Sequence, residues 1–209
     1  MTTNEMPTTE QKKQTEKATS ETVAPSPEDR EAQLHEQIDA LVDKQYDLID
    51  EFPTPTSRRE MRFDDGTYIY LQHGSAQVVI EAENGQKYHY NLRINGLKNH
   101  SDPIFDSENL IKSRLFISAS KSSGQYDEKG NPIREENATE KLGIKSNEDR
   151  IAHANKVLSF IEQKMTEETA RHDGKFPVNK ARFESGAIGK ENFLKKHGDK
   201  VVIVDEGGF

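Results

Sequence analysis

The 209-residue sequence contains no cysteine. That absence excludes disulfides, thiol catalysis and cysteine-ligated zinc or iron–sulfur centres. It also fits a reducing compartment, and the expectation is a cytoplasmic protein. Apolar residues are scarce, at 32%, and only equal the charged residues, also 32%. That fraction is thin for a chain packed along its whole length. Long apolar runs are missing too. No window approaches the roughly 18 consecutive apolar residues of a membrane span. The opening MTTNEMPTTEQKKQTEKATSE has no apolar stretch of the kind a secretory signal needs.

The charge that is present is unevenly placed. Residues 1–56 carry five basic and thirteen acidic side chains, residues 57–121 nine and eight, and residues 122–209 fifteen and sixteen. The net charge of −8 therefore belongs to the first segment. A balanced middle leaves nucleic acid open as a partner. Residues 1–27, rich in Thr, Glu, Lys and Gln, bury too little to offset chain entropy and predict a disordered tail.

Ser26 followed by Pro27 is an N-cap with Pro at the first helical position. Asp29 sits in the first turn, where a carboxylate favours the helix dipole. Leu34, Ile38, Leu41, Leu48 and Phe52 then recur at helical spacing, with Gln45 in one slot of the stripe and Val42 and Ile49 widening it. This predicts an amphipathic helix over 28–52, ended by Pro53 and Pro55. A second helix is expected over 146–171, opened by Ser146 with Asp149 at the capping-box position. Its stripe is Ile151, Ala154, Leu158, Ile161 and Met165, and Gly174 marks its stop.

Between these helices, turn signals at Asp64-Asp65-Gly66, Gly74-Ser75 and Asn84-Gly85 separate four strands near 58–63, 67–73, 76–82 and 86–94. A two-residue turn at Gly74-Ser75 predicts Leu71 opposite Val78. A three-residue loop Glu83-Asn84-Gly85 pairs Ile80 with Tyr88 and Val78 with Tyr90. A two-residue turn there would mix apolar and polar residues on both faces. With the longer loop, Met61, Phe63, Ile69, Leu71, Val78, Ile80, Tyr88, Tyr90, Leu92 and Ile94 share one face. The expected fold class is α+β. It is a two-layer sandwich in which a four-stranded antiparallel meander has amphipathic helices on one face. Residues 107–119 read as a helix, with a fifth strand at Leu115-Phe116-Ile117 as the alternative, and residues 120–145 as a long mobile loop. The domain reading is a tail (1–27), an α+β domain (28–174) and an extension (175–209). The extension holds a short helix near 190–197 and an apolar strand, Val201-Val202-Ile203-Val204.

No catalytic constellation can be assembled by spacing, and neither a cofactor nor a metal site is expected. His35 and Glu36 resemble the start of a zinc-protease helix, but Asp39 stands where the second His belongs. Gly186-Ala187-Ile188-Gly189-Lys190 ends like a phosphate-binding loop, yet Glu184 and Glu191 occupy its Gly and hydroxyl positions. No Gly-x-Ser-x-Gly elbow is present.

Two surfaces remain. The polar sheet face would carry Tyr68 and Tyr70 with His89, Arg62, Lys87 and Arg93, rings to stack bases and cations to track phosphates. The meander followed by a helix resembles, in topology alone, single-strand-binding folds of the Whirly and PUR type, without a motif of either. On the helix, Val42, Gln45 and Ile49 would offer a face to a partner helix or a second copy. The leading expectation is a non-enzymatic binding or adaptor module for a protein partner. A single-stranded nucleic-acid binder is the alternative, and an enzyme of unrecognised mechanism the third reading.

Overall fold

Two capping boxes frame the helices that cover the sheet. In the computed structural model, which describes residues 25–95, 107–185 and 189–209, Ser26 caps helix α1 (Pro27–Glu51). Its Oγ accepts the Asp29 N–H at 3.1 Å, and the Asp29 carboxylate accepts the Ser26 N–H at 3.2 Å. Asp29 thus does more than answer the helix dipole; it closes a reciprocal cap. The last turn of α1 has no basic residue of its own. The buried Arg59 supplies the cation, donating to the Ile49 and Phe52 carbonyls at 2.7 and 2.6 Å. Helix α3 (Asn147–Arg171) repeats the box with Ser146 and Asp149. It ends where Asp173 and Gly174 take positive φ and the Gly174 N–H bonds the Thr169 carbonyl.

The chain is α+β, and its main sheet has six antiparallel strands rather than the four expected. They run in sequence order: β1 (Arg58–Arg62), β2 (Tyr68–Gln72), β3 (Ser75–Glu81), β4 (Lys87–Ile94), β5 (Leu115–Tyr126) and β6 (Pro132–Asn137). Helix α2 (Ser107–Arg114) connects β4 to β5. Residues 107–119 are therefore helix only to Arg114, and the alternative strand holds from Leu115. The physical reason is twofold. Leu115 and Ile117 are buried while Phe116 between them is exposed, a period of two. Strand pairing there also satisfies the outer edge of β4.

The expected loop 120–145 is corrected as well, since most of it forms the β5–β6 hairpin. Its Ser- and Lys-rich composition conceals a turn of the same kind as two others. Gly66, Gly85 and Gly130 each close a three-residue hairpin loop with positive φ, and each N–H bonds back three residues, to Phe63, Ala82 and Asp127.

The register of β3 and β4 is the one the longer loop predicts, with Ile80 opposite Tyr88, Val78 opposite Tyr90 and Ala76 opposite Leu92. The β2–β3 register differs by two residues. Leu71 faces Ala76, because the two turn residues are His73 and Gly74, with Gly74 at φ 73°. A shift of two keeps every side chain on its face, so the apolar face survives. Helices α1 and α3 cover it, packing Ile38, Leu41 and Leu48 with Ala154, Leu158 and Ile161 over Ile69, Val78 and Leu92.

The other face is partly roofed. Strand β5 is 12 residues long, and with β6 it curls back toward the β1–β2 turn through irregularities near Ser122. The Tyr126 hydroxyl donates to the Thr67 carbonyl at 2.8 Å, and Arg62 Nε to the Gly130 carbonyl at 2.7 Å. The approach is so close that a Cβ on Gly66 would lie 2.7 Å from the Gly124 oxygen.

The extension adds a second, parallel pair, β7 (Phe176–Asn179) and β8 (Val201–Val204). They are joined through α4 (Lys180–Ser185) and α5 (Lys190–His197). Phe176 packs between Phe209 and Phe52, stacked on the first and tilted against the second, at ring distances of 5.0 and 5.3 Å. Among the described residues, no helix is long and apolar enough to cross a membrane.

Candidate functional site

The two-residue register shift re-sorts the polar face. Its cross-strand rows are Arg62, Tyr68, Val79, His89 and Ser120, then Glu60, Tyr70, Gln77, Asn91 and Ser118. The first row lies under the curled hairpin. Tyr68, Val79 and His89 are buried, and Tyr126 roofs the Tyr68 ring at 6.3 Å. Burial raises the Tyr68 phenol, with the Glu60 charge adding to it.

His89 meets the Tyr68 ring edge-on, and its Nε2 lies 3.1 Å from the Gln77 Oε1. Arg134 also donates to that oxygen, which fixes it as an acceptor. His89 therefore carries its proton on Nε2, and its Nδ1 has no partner. Burial, and secondarily the Arg134 charge, hold this imidazole down at about 4.

Glu60 is the charged centre of the face. Its carboxylate meets Arg58 at 2.7 Å, Arg62 at 2.8 Å and Arg182 at 3.8 Å, and Arg182 also donates to the Glu60 main-chain carbonyl. These arginines lock α4 and the β5–β6 tip onto the edge of β1. Lys87 is likewise engaged, donating to the Asp65 carbonyl and lying 3.9 Å from Glu81. Tyr70 is half-buried; its hydroxyl bonds Gln72 and the Arg58 guanidinium covers its ring at 5.3 Å.

The six residues expected to make a stacking surface are thus not assembled as one. Tyr68 and His89 are enclosed, Arg62, Lys87 and Tyr70 are engaged within the chain, and Arg93 alone is exposed with no hydrogen-bond or ion-pair partner among the described residues. The helical face fares similarly. Gln45 is buried, its Oε1 accepting the Gly74 N–H at 2.9 Å to pin the β2–β3 turn beneath α1. Ile49 is core and Val42 is packed against it, half-exposed. These three residues serve the fold of their own chain.

The zinc-like residues have a structural use. Arg114, 2% exposed, donates to His35 Nδ1 at 2.7 Å and to the Asp39 carboxylate at 2.6 Å, tying α1 to the start of β5. Among the described residues, no group of three or more metal-ligating side chains converges. The phosphate-loop-like run lies partly outside the described residues, and Asp205 pairs with Lys180.

Sequence reasoning missed a different surface, the outer edge of β5. The Asn95 N–H bonds the Arg114 carbonyl, so in the antiparallel alternation Arg114, Phe116 and Ser118 turn their backbone groups to β4. Leu115, Ile117 and Ala119 turn theirs outward. Ala119 is met by the Ala138 N–H and the Thr139 hydroxyl. Ile117 has no outward backbone partner among the described residues.

Beside it runs an open groove of about 1090 Å³, lined by Phe116, Ile117, Ile144, Lys145 and Arg150 among others. Phe116 is 48% exposed and sits beside Arg93 on the neighbouring strand. Its signal in the sequence was an aromatic at the outward parity of the Leu115-Phe116-Ile117 run. Set against known proteins, the chain matches no family model, no curated sequence and no solved structure.

Proposed function

We propose that this chain is a non-enzymatic binding module that recognises a protein partner along the outer edge of β5. The observation that carries this reading is the open backbone edge at Ile117 inside the groove, beside an exposed aromatic ring. Exposed edges invite pairing, and proteins ordinarily blunt them.

The other edges of this sheet are blunted. On β1, the outward carbonyls of Arg58 and Glu60 accept from Thr56 and Arg182. Strand β6 begins with Pro132, carries Arg134, Glu135 and Glu136, and pairs through irregular register. An edge left open amid such protection is suited to a partner.

A second reading, single-stranded nucleic acid, rests on Arg93 beside Phe116, a cation and a free ring on adjacent strands. Affinity capture from an extract of the native host separates the two. The proposal expects a bound protein that survives nuclease treatment and is lost with Lys145→Glu/Arg150→Glu. Material released by nuclease, or capture indifferent to those substitutions, would overturn it.

A further inference from the structure

We infer that the occupant of the groove is an extended, acidic segment of the partner, which adds to the sheet as a strand alongside β5. This rests on the protein-binding reading above and specifies its chemistry. The backbone of the β5 edge supplies the first half of the argument. The Ile117 N–H and C=O point outward and lack partners among the described residues, and the floor beside them, Leu115, Ile117 and Ile144, is buried and apolar. A strand laid there meets a ready donor and acceptor, while alternate side chains fall on opposite faces.

Charge supplies the second half. Lys112, Lys141, Lys145 and Arg150 line the groove against a single carboxylate, Glu140. Lys141 is paired with Glu136. Among the described residues, the Arg150 guanidinium bonds the Asn147 amide oxygen, and neither Lys145 nor Arg150 has a carboxylate within ion-pair distance. Both belong to the segment that opens α3, on the helix layer, whereas Phe116 looks out of the opposite face of the sheet.

The two faces therefore ask for different side chains: carboxylates toward Lys145 and Arg150, and an apolar group beside Phe116. A second copy of this chain is disfavoured by the same charges, because pairing two β5 edges would bring two basic grooves together. Ala119 ends the site, since Ala138 and Thr139 already occupy its outward groups, so the added strand is short.

The probe is a capped synthetic peptide of about eight residues alternating Glu and Val, long enough to span a short edge. It is titrated into the whole chain at low salt with amide hydrogen exchange as the readout. The expected result is protection of the Ile117 amide on binding and an affinity that falls about tenfold or more with Lys145→Glu/Arg150→Glu or with Phe116→Ala. The charge reversal lies at the start of α3, where carboxylates favour the helix dipole, so the variant keeps its fold.

A peptide of the same sequence, N-methylated at alternate residues, keeps the charge but cannot pair on one edge, and its binding should fall about tenfold or more. If it binds as well as the parent, strand addition is wrong while recognition of an acidic protein segment stands. If a single-stranded oligothymidylate binds through the same residues more tightly than either peptide, the protein-binding reading itself falls. Failure of the parent peptide to bind at all overturns the inference. So does protection of Ile117 in the free chain that appears with dimerisation in sedimentation, which would make a second copy the occupant.

Discussion

Acidification should weaken the fold through one residue, His89. It lies enclosed between the Tyr68 ring, the Gln77 amide and Arg134, with its Nδ1 unpartnered. A proton added there is buried without an acceptor and beside a guanidinium. The imidazole is accordingly held at about 4, against about 6.5 for a free one.

The sign follows from proton counting. Between about pH 6.5 and 4 the unfolded chain binds this proton and the folded chain does not. The contribution is thus fully present above the unfolded value, is lost as pH falls through that window, and levels off below about 4. At about 1.4 kcal/mol per pH unit the whole span is worth about 3 kcal/mol, of which about 2 kcal/mol is gone by pH 5.

His89→Gln removes the titration while keeping an N–H donor within reach of Gln77. Urea unfolding followed by far-ultraviolet circular dichroism suits a chain without tryptophan. The stability difference between wild type and His89→Gln should shift by about 2 kcal/mol between pH 7.5 and 5, toward the variant. Carboxylates and the other histidines cancel in that difference. Parallel pH curves for the two proteins would refute the enclosed, neutral His89.

Further substitutions test the packing. Arg114→Met removes the buried guanidinium's bonds to His35 and Asp39 and should cost about 1–3 kcal/mol in urea unfolding. Gln45→Leu leaves the Gly74 N–H without its acceptor, for an expected loss of about 1–2 kcal/mol. Gly66→Ala and Gly85→Ala share a positive φ, but the first also collides with the Gly124 carbonyl while the second enters open space. Thermal melts should place Gly66→Ala below Gly85→Ala by about 1–3 kcal/mol.

Much of the fold was legible because it rests on local rules. The Ser26 and Ser146 caps, the stripes of the two long helices and the period of the first four strands are all written in neighbouring residues. The Glu83-Asn84-Gly85 loop was readable since only that length kept Tyr88 and Tyr90 with Ile80 and Val78. The His73-Gly74 turn was misplaced because either register leaves the faces unchanged, so the apolar pattern could not choose.

The β5–β6 hairpin was hidden by its own composition. Its outer side is Lys, Ser and Glu, and its inward residues Ser122 and Tyr126 serve the second face rather than the main core. That one omission carried the largest consequence for the site. A four-stranded sheet leaves Tyr68 and His89 open, and two more strands curl over them. The groove was illegible for a related reason: Lys145 and Arg150 come to the β5 edge only through the long return from β6 to α3.

The most direct test of an open β5 edge needs no ligand. Amide hydrogen exchange, resolved by residue in the free chain, reads which backbone groups are paired. The alternation predicts slow exchange at Phe116 and Ser118, which bond β4, and fast exchange at Ile117 between them. Equal protection at all three would mean that the edge is already covered, and the proposed binding surface would not exist.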